Sequence, residues 1–279
     1  MKEHAEPHHW CGREQFLSEQ VMKIYYLSMF ILTIISFLVI WYRYEIRRTN
    51  YYYLILMVLM MISNAGYLAV ALSNSVGEVI LANKIVHIGG CFIPAATLSL
   101  ICTLTNYKMP SWMKSIIYGF SGFVYAMVLT SGYSELYYKD VYLKTYRDVT
   151  VIGNVPGVGN KLYYVILLGH ALISMLLICW AFKNRRKISQ KFLISLALIV
   201  VVNMYLYFIG KFINPSIEIM PLTYAISSGI LVYMYRKGAI YNLDDNIKNS
   251  QKRDHYAYIM FDKNLNFLGC NYMAEIIFP

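Results

Sequence analysis

Charged residues are scarce in this sequence. Only 14% of the 279 residues are Asp, Glu, Lys or Arg, whereas 58% are hydrophobic. A soluble domain has about 25% charged residues, so the composition argues against a soluble enzyme. The hydrophobic residues come in blocks of roughly 20, about the length of helix that crosses a hydrocarbon layer of ~30 Å. The sequence therefore predicts an integral membrane protein whose first partner is the lipid bilayer.

Acidic residues are the scarcer of the two signs, with 15 against 25 basic residues and a formal net charge of +10. An excess of basic residues can indicate nucleic-acid binding, but here they lie in short clusters between the apolar blocks. That placement is typical of residues that anchor membrane helices on the cytoplasmic side. We therefore expect no nucleic-acid partner.

The five cysteines include no C-x-x-C pair and no regular spacing, which excludes a zinc motif and a disulfide framework of the usual kinds. Metal-ligand types do gather in EHAEPHHWC (3–11), which contains His4, His8, His9 and Cys11. A closed zinc site needs further ligands of matching spacing, and none follows. We predict a disordered tail, no metal site and no cofactor.

No Asp lies in any apolar block, and the last block has no lysine. The first absence argues against an intramembrane enzyme, so we predict no catalytic residues. The second excludes a retinal Schiff base at the place usual for a microbial rhodopsin. The stretch GNVPGVGNK (153–161) lacks the G-x-x-x-x-G-K-[ST] spacing of a phosphate-binding loop, and we interpret it as a turn-rich loop.

Seven apolar blocks are long enough to be membrane helices. They lie at 22–42, 51–73, 82–105, 114–133, 162–182, 190–210 and 216–235. The chain then divides into an extracellular N-terminal tail (1–21), a seven-helix membrane domain (22–236), a polar linker (237–255) and a final segment (256–279). The predicted fold is an all-α seven-transmembrane-helix bundle followed by a short, incomplete α+β tail.

Basic residues predict the orientation of the chain. Twelve Lys and Arg residues lie in the loops 43–50, 106–114 and 183–191 and at the start of the C-terminal tail. The loops on the other side, of which 134–161 is the longest, are poorer in basic residues and contain acidic ones. Since short cytoplasmic loops carry the basic excess, we expect an outside N-terminus and a cytoplasmic C-terminal tail in a multi-pass protein of the cell membrane.

The final segment, YAYIMFDKNLNFLGCNYMAEIIFP (256–279), favours two strands joined by a turn at 262–264. Asn271 is the predicted N-cap of a helix that begins near Tyr272. One hairpin and one helical turn bury too little apolar surface to be stable alone. We therefore expect the chain to stop within a domain.

Three stretches together resemble a known family: NAGYLAVALSNS (64–75), EVILANKIVHIGGCFIP (78–94) and EIMPLTYAIS (218–227). They are similar to the bacterial seven-transmembrane sensor regions found at the N-terminus of histidine kinases. The resemblance covers roughly residues 20–279, and the tail from Tyr256 looks like the start of a PAS domain.

Members of that family are joined to cytoplasmic PAS domains and then to a histidine kinase or a GGDEF diguanylate cyclase. Neither output module has its motifs in this chain. The resemblance therefore implies the sensor region of a bacterial signal-transduction protein, such as a two-component system, that by itself catalyses nothing. A homodimer is expected by analogy with such receptors.

Two ionisable residues, Lys84 and His87, lie one helical turn apart at the start of the third block. In one interpretation Lys84 extends its amine to the outer headgroup region while its stem lies in lipid. In the other, both residues point into the bundle toward Glu218, with Asn64 as a deeper neighbour. A carboxylate and a cation facing a wet outer cavity would suit a polar ligand or a proton-sensitive switch. We hypothesise that these four residues form a ligand-binding site.

Gly89, Gly90 and Pro94 follow in the third block, and Pro221 lies in the seventh. Glycine lets membrane helices approach closely, and proline kinks a helix because it leaves a carbonyl without its usual partner. Kinks at both prolines would leave room for a pocket between the two helices.

Two polar residues lie deeper, His170 in the fifth block and Asn203 in the sixth. Such side chains usually form hydrogen bonds to a neighbouring helix, and we expect the same of both.

The predicted function is that of a membrane sensor, which detects an extracellular or membrane-borne signal, such as a small molecule, and relays it to the cytoplasm. A small multi-span transporter is the alternative. Transporters usually show internal repeats or paired half-helices, and no such repeat is evident between the two halves of this chain.

Overall fold

The computed structural model describes residues 8–42, 51–105, 107–146, 149–183, 190–213, 218–236, 257, 259–261, 265, 267–270 and 272–278. A helix lies at each of the seven predicted blocks. These helices are α1 (His8–Tyr42), α2 (Tyr51–Leu72), α3 (Val76–Leu104), α4 (Ser111–Leu129), α5 (Val158–Lys183), α6 (Gln190–Ile213) and α7 (Met220–Arg236). The first begins well before the predicted residue 22, so part of the predicted tail is helical.

Five of these helices are long and apolar enough to cross a membrane. They are α1 from Gln20, α2, α3, α4 and α5. Helix α6 contains a shorter apolar stretch, Leu193–Phe208, and α7 has 17 residues. The protein is therefore a mostly helical, multi-pass membrane protein, and the crossing of the bilayer by all seven helices stays a prediction.

Helix α3 lies at the centre of the bundle, in contact with α2, α4 and α5. Most of its residues are buried, whereas α1 and α4 expose apolar side chains such as Ile35 and Ile116. Exposed apolar side chains suit contact with lipid. The bundle therefore surrounds α3 and turns α1 and α4 outward.

The start of α3 is fixed by its own sequence. The Ser75 hydroxyl accepts a hydrogen bond from the backbone N–H of Glu78 at 3.3 Å, and the Glu78 carboxylate accepts one from the backbone N–H of Asn74 at 2.7 Å. This reciprocal pair resembles a capping box. It holds a tight connection between the end of α2 and the start of α3.

Two glycines let α2 and α3 approach closely. A Cβ atom at Gly66 would lie 2.6 Å from the backbone nitrogen of Val86, and one at Gly89 would lie 2.9 Å from the carbonyl oxygen of Leu59. Side chains cannot be that close to a backbone without moving it. The hydroxyl of Ser63 donates to the carbonyl of Val86 at 2.9 Å across the same contact.

The segment between α4 and α5 forms a hairpin of two antiparallel strands, β1 (Tyr138–Tyr146) and β2 (Val149–Pro156). It packs against α1, α2, α3 and α5 and covers the end of the bundle where α3, α5 and α7 begin, hereafter the hairpin end. The prediction of a turn-rich loop at 153–161 is therefore wrong, because 153–156 belong to β2 and 158–161 to α5. The all-α prediction holds for the bundle but not for the hairpin. β-branched and aromatic residues recur along it, which is the pattern of a strand.

The end of the bundle opposite the hairpin is filled by an apolar core. Buried side chains of α2, α3, α6 and α7 meet there, among them Tyr53, Leu100, Leu196 and Leu231. We call this region the opposite end.

The C-terminal segment contains β3 (Ile259–Phe261), β4 (Phe267–Cys270) and the short helix α8 (Tyr272–Ile277). The two strands pair antiparallel, so the elements expected from the sequence are present. The predicted turn at 262–264, the Asn271 cap and the linker 237–255 lie outside the described residues. Identification of this segment as the start of a PAS domain stays a prediction.

Candidate ligand-binding site

A cavity of about 150 Å³ lies at the hairpin end. Its walls come from five helices (α1, α2, α3, α5 and α6) and from both strands of the hairpin. Glu218, two residues before α7, completes the described wall. Tyrosine is the commonest lining residue, with six side chains: Tyr26, Tyr67, Tyr138, Tyr163, Tyr164 and Tyr207. We call this space the outer cavity.

The carboxylate of the outer cavity belongs to Glu218, which is half-buried. Two tyrosines of α1 hold its backbone, since its N–H donates to the hydroxyl oxygen of Tyr26 at 3.3 Å and its carbonyl accepts from the hydroxyl of Tyr25 at 3.4 Å. Among the described residues that line the outer cavity, Glu218 is the only Asp, Glu, Lys or Arg. The described part of the wall therefore contains one carboxylate.

His87 lines the same cavity and is buried. Its Nδ1 atom lies 2.8 Å from the carbonyl oxygen of Asn83. A carbonyl only accepts, so Nδ1 carries a proton in this contact. The imidazole meets the ring of Tyr137 edge to face at 5.1 Å and lies 5.6 Å from the ring of Tyr163.

Tyr137 and Tyr138, at the base of the hairpin, are both buried. Tyr138 is the first residue of β1 and lines the outer cavity, whereas Tyr137 lies in the turn before the strand. The alternation of side chains along a strand does not extend into that turn, so both rings pack inward.

The Tyr138 hydroxyl accepts a hydrogen bond from Nδ2 of Asn83 at 3.4 Å. Burial raises the pKa of this hydroxyl above its ordinary value of 10.0, the bond from Asn83 lowers it, and the nearby carboxylate of Glu218 raises it further. The net shift is upward, so the phenol stays neutral at physiological pH. The contribution of Glu218 also means that the Tyr138 oxygen lies within electrostatic reach of that carboxylate.

The hairpin is fastened to α5 by two glycines of the GNVPGVGNK stretch. The N–H of Gly157 donates to the carbonyl of Tyr137 at 2.9 Å, and the N–H of Gly159 donates to that of Leu136 at 2.8 Å. A Cβ atom at Gly157 would lie 2.6 to 2.9 Å from three carbonyl oxygens. These glycines allow a close backbone contact that fixes the base of the hairpin over the cavity.

Lys84 does not line the outer cavity. Its ammonium lies 5.1 Å from the centre of the Tyr133 ring, a side chain that is 90% exposed. The structure thus brings His87 and Glu218 to one cavity and places the Lys84 ammonium outside it.

Asn64 is fully buried and joins three helices rather than lining the outer cavity. Its Nδ2 atom is 3.4 Å from the carbonyl of Met29 in α1 and 3.4 Å from that of Pro221 in α7. It holds α7 in place below Glu218.

The two prolines have different positions. Pro94 lies inside α3, as the sequence requires. Pro221 is the second residue of α7, where its missing N–H would be unpaired in any case. It therefore starts the helix, and the kink predicted at Pro221 is wrong. Gly90 makes room for an aromatic ring, because a Cβ atom there would lie 3.0 Å from the Tyr163 hydroxyl.

A second cavity, of about 70 Å³, lies deeper between α3, α5, α6 and α7. Gly90, Tyr163 and Tyr207 line both cavities. Pro94, which interrupts the hydrogen bonding of α3, lines the deeper one. The two cavities therefore share a wall made of one glycine and two tyrosines.

His170 and Asn203 line the deeper cavity. Nδ2 of Asn203 donates to the Ser227 hydroxyl of α7 at 2.8 Å, which confirms the predicted bond between helices. The prediction is wrong for His170, because its Nδ1 donates to the carbonyl of Ile166 in the same helix at 2.7 Å. Its Nε2 atom has no hydrogen-bond partner within the described part of the chain.

Within the described residues, no group of three or more His, Cys, Asp or Glu side chains is arranged to hold a metal ion. The side chains of the N-terminal His and Cys residues lie outside the described part of the structure.

The hairpin side chains of the outer cavity were missed from the sequence. Tyr138, Asn154 and Pro156 all line it, but 134–161 reads as a polar loop when only hydrophobic blocks are sought. The run of four β-branched residues at 149–152, Val-Thr-Val-Ile, is the signal that could have identified the second strand.

A family model described as the N-terminal 7TM region of histidine kinase matches residues 24–243. The match extends from within α1 to beyond the end of α7 and includes every described residue that lines the two cavities. Among curated proteins, none matches the chain.

Proposed function

This chain belongs to the family of N-terminal 7TM regions of histidine kinases and is a membrane sensor region of a signalling protein, and we propose that its outer cavity binds the signal. The family match confirms the resemblance carried by the second, third and seventh helices. The proposed signal is a small polar molecule that reaches the hairpin end from outside the cell or from the membrane.

The observation that carries this proposal is the outer cavity itself. Membrane helices pack without a hydrophobic driving force between them, so a space lined by hydroxyls, amides and a carboxylate stabilises nothing unless something polar occupies it. Intramembrane ionisable groups usually mark functional sites. His87 of α3 and Glu218, two residues before α7, line one such space.

Relay of the signal would use the wall shared by the two cavities. A ligand that displaces Tyr163 or Tyr207 changes the packing around the deeper cavity, where α7 contributes Met220 and Tyr224. Small shifts of packed helices are a common switching motion. Helix α7 ends at Arg236, from where the linker leads to the output.

The expected orientation has the hairpin end outside and the C-terminal tail in the cytoplasm, because the basic loops lie at the opposite end. The tail would lead into a PAS domain and then a histidine kinase or diguanylate cyclase, and the sensor region would work as a homodimer without catalysing a reaction itself.

The test is to fuse residues 1–255 to a histidine kinase output of known activity and to fill the outer cavity by mutation. Ala71 lines the cavity, so Ala71→Phe should change the phosphorylation rate by about threefold or more, since a shift of under 1 kcal/mol in a two-state equilibrium suffices. Ala126 is exposed on α4, so Ala126→Phe is the matched control and should leave the rate unchanged. Equal rates for the wild type and both variants would contradict the proposed function.

A further inference from the structure

We propose that the deeper cavity is a second binding site, for a small neutral hydroxy compound. Its hydroxyl group donates a hydrogen bond to Nε2 of His170, with Oδ1 of Asn203 as a second acceptor, and its short aliphatic part packs against the apolar wall. The inference goes beyond the proposed function, because it concerns a different space between α3, α5, α6 and α7 and holds whatever the outer cavity binds.

The first acceptor is the Nε2 atom of His170. This side chain is 7% exposed and lines the deeper cavity. Its Nδ1 atom donates to the carbonyl of Ile166 at 2.7 Å. A charged imidazolium is costly to bury among membrane helices, and in the uncharged ring a proton on Nδ1 leaves Nε2 as an acceptor. Because Nε2 has no hydrogen-bond partner in the part of the chain that the structure describes, a donor placed beside it would stabilise the protein.

The second acceptor is the Oδ1 atom of Asn203. Nδ2 of this residue donates to the carbonyl of Ile199 at 2.7 Å and to the Ser227 hydroxyl at 2.8 Å. A carbonyl only accepts, so the first contact fixes which amide atom is the nitrogen, and Oδ1 is an acceptor. It is buried and has no partner among the described residues. Two acceptors from α5 and α6 thus belong to the wall of one cavity, where a ligand with a hydrogen-bond donor would complement them.

The rest of the described wall limits how polar the ligand can be. Its apolar part comes from aliphatic and methionine side chains, among them Ile93, Leu167, Ile199, Val200, Met204 and Met220. Water could donate to the two acceptors but would gain little beside this apolar surface, whereas an aliphatic group makes favourable contacts with it. A charged group would lose its hydration here at a high cost. The ligand is therefore neutral, with one polar end and one apolar end.

The volume of the deeper cavity limits the size of the ligand. About 70 Å³ is several times the roughly 10–15 Å³ that holds one water molecule and about half of the roughly 150 Å³ that accommodates one benzene molecule in an engineered soluble protein. Scaled from benzene, a ligand of about three or four non-hydrogen atoms is expected. Ethanol, the propanols and ethane-1,2-diol have that size, whereas phenols, sugars and lipid chains are too large.

The test uses the full chain in lipid nanodiscs and fluorine-detected saturation transfer from the protein, with matched probes. The hydroxy probe is 2-fluoroethanol, and its isostere 1-fluoropropane has a methyl group in place of the hydroxyl. Empty nanodiscs measure how much of each signal comes from probe dissolved in the lipid. After this background is subtracted, titration should show that 2-fluoroethanol binds more tightly than 1-fluoropropane by about fivefold or more, as expected for one hydrogen bond to a buried acceptor.

Three variants locate the binding. His170→Leu should weaken 2-fluoroethanol binding by about fivefold and leave 1-fluoropropane binding unchanged, whereas a general loss of structure would weaken both. Ala171→Leu, which fills the deeper cavity from α5, should abolish the binding of both probes. Its matched control is Ala126→Leu, at an exposed position of α4, which should change neither. The comparison of probes on the wild-type chain stands even where a variant fails to fold.

The proposal is overturned when the wild-type chain transfers no more saturation to 2-fluoroethanol than empty nanodiscs do, when 1-fluoropropane binds as tightly, or when His170→Leu leaves 2-fluoroethanol affinity unchanged. Unchanged binding to Ala171→Leu would place the probe in another part of the protein, the outer cavity included, and would equally overturn it. None of these outcomes bears on the response of the kinase fusion to Ala71→Phe, which tests the outer cavity.

Discussion

At the end of the bundle opposite the hairpin, Tyr53, Leu100 and Leu231 belong to one apolar cluster of α2, α3 and α7. At the hairpin end the same three helices approach a cavity of about 150 Å³ lined by tyrosine, asparagine, histidine and one carboxylate. The opposite end gains its stability from close packing, whereas the hairpin end gives up packing for a polar space. Under the proposed function, the opposite end holds the helices together and the hairpin end responds to the signal.

The hairpin end is nevertheless close-packed on one side. Gly66 and Gly89 bring α2 and α3 into backbone contact, and the cavity opens between this pair and α5, α6 and the start of α7. A fixed pair of helices facing a more separated set is an arrangement in which a ligand can move one side relative to the other.

The largest effect is expected when labelling tests which side of the membrane each end of the bundle faces. In a variant whose native cysteines are replaced by serine, Lys139→Cys in the hairpin should react with a membrane-impermeant maleimide in intact cells. Lys108→Cys, an equally exposed lysine after α3, should react only after the cells are permeabilised, because the basic loops are expected in the cytoplasm. Labelling of both from outside would invalidate the assignment of the hairpin end as the receiving end.

The next largest effect concerns the α2–α3 contact. Gly66→Ala should destabilise the protein by about 3 kcal/mol, because the new Cβ atom would meet the backbone of Val86 and overpacking against backbone is costly. Gly119→Ala on α4 is the control, since nothing lies within 4 Å of its Cβ position. Thermal unfolding in detergent micelles measures both, and equal melting temperatures would show that the two helices separate easily.

The sequence located all seven helices because each is a block of apolar residues with a polar boundary, and block length is a local property. It also located Glu218 and His87, since an ionisable residue in an apolar block is conspicuous. It could not show that Lys84 points to Tyr133 while His87, three residues later, lines the cavity, because the direction of a side chain depends on how the helix is rotated against its neighbours.

The hairpin escaped prediction for a different reason. Its strands are stabilised by contacts with α5 and with α1, α2 and α3, of which the last three lie far away in sequence, and an isolated two-stranded hairpin is marginal in water. Tyr138 lines the cavity in contact with α3, where Nδ2 of Asn83 donates to its hydroxyl. Neither the packing of the hairpin on the helices nor the position of Tyr138 in the cavity has a local sequence pattern as strong as a hydrophobic block.

Packing in the apolar core and packing beside the deeper cavity can be compared with the same type of substitution, Leu to Ala, at one position in each. Leu100→Ala should cost about 2 kcal/mol, because Leu100 is 1% exposed within the apolar core and its removal leaves a new cavity. Leu167→Ala should cost about 1 kcal/mol, because Leu167 already borders the deeper cavity and loses fewer contacts. Chemical unfolding in mixed micelles measures the two differences. A larger loss at Leu167 would mean that packing around the deeper cavity, and not at the opposite end, holds the bundle together.

The smallest effect is a loss of stability at alkaline pH that depends on Tyr138. Its hydroxyl has a pKa raised above the ordinary value of 10.0 by burial, and by the Glu218 carboxylate. The contribution of the neutral Tyr138 hydroxyl to stability is therefore complete below pH 10, where the phenol of the unfolded chain is also neutral. This contribution is lost as the pH rises toward the pKa of the folded state, at up to about 1 kcal/mol per pH unit. Tyr138→Phe cannot ionise, so its stability should fall less steeply above pH 10, even though the loss of the bond from Asn83 costs about 1 kcal/mol at every pH. Tyr133→Phe, at a 90% exposed ring, is the control and should keep the wild-type slope. Parallel slopes for all three proteins would mean that the Tyr138 oxygen is in contact with water, and that the hairpin covers the cavity less completely than the opposite end covers its core.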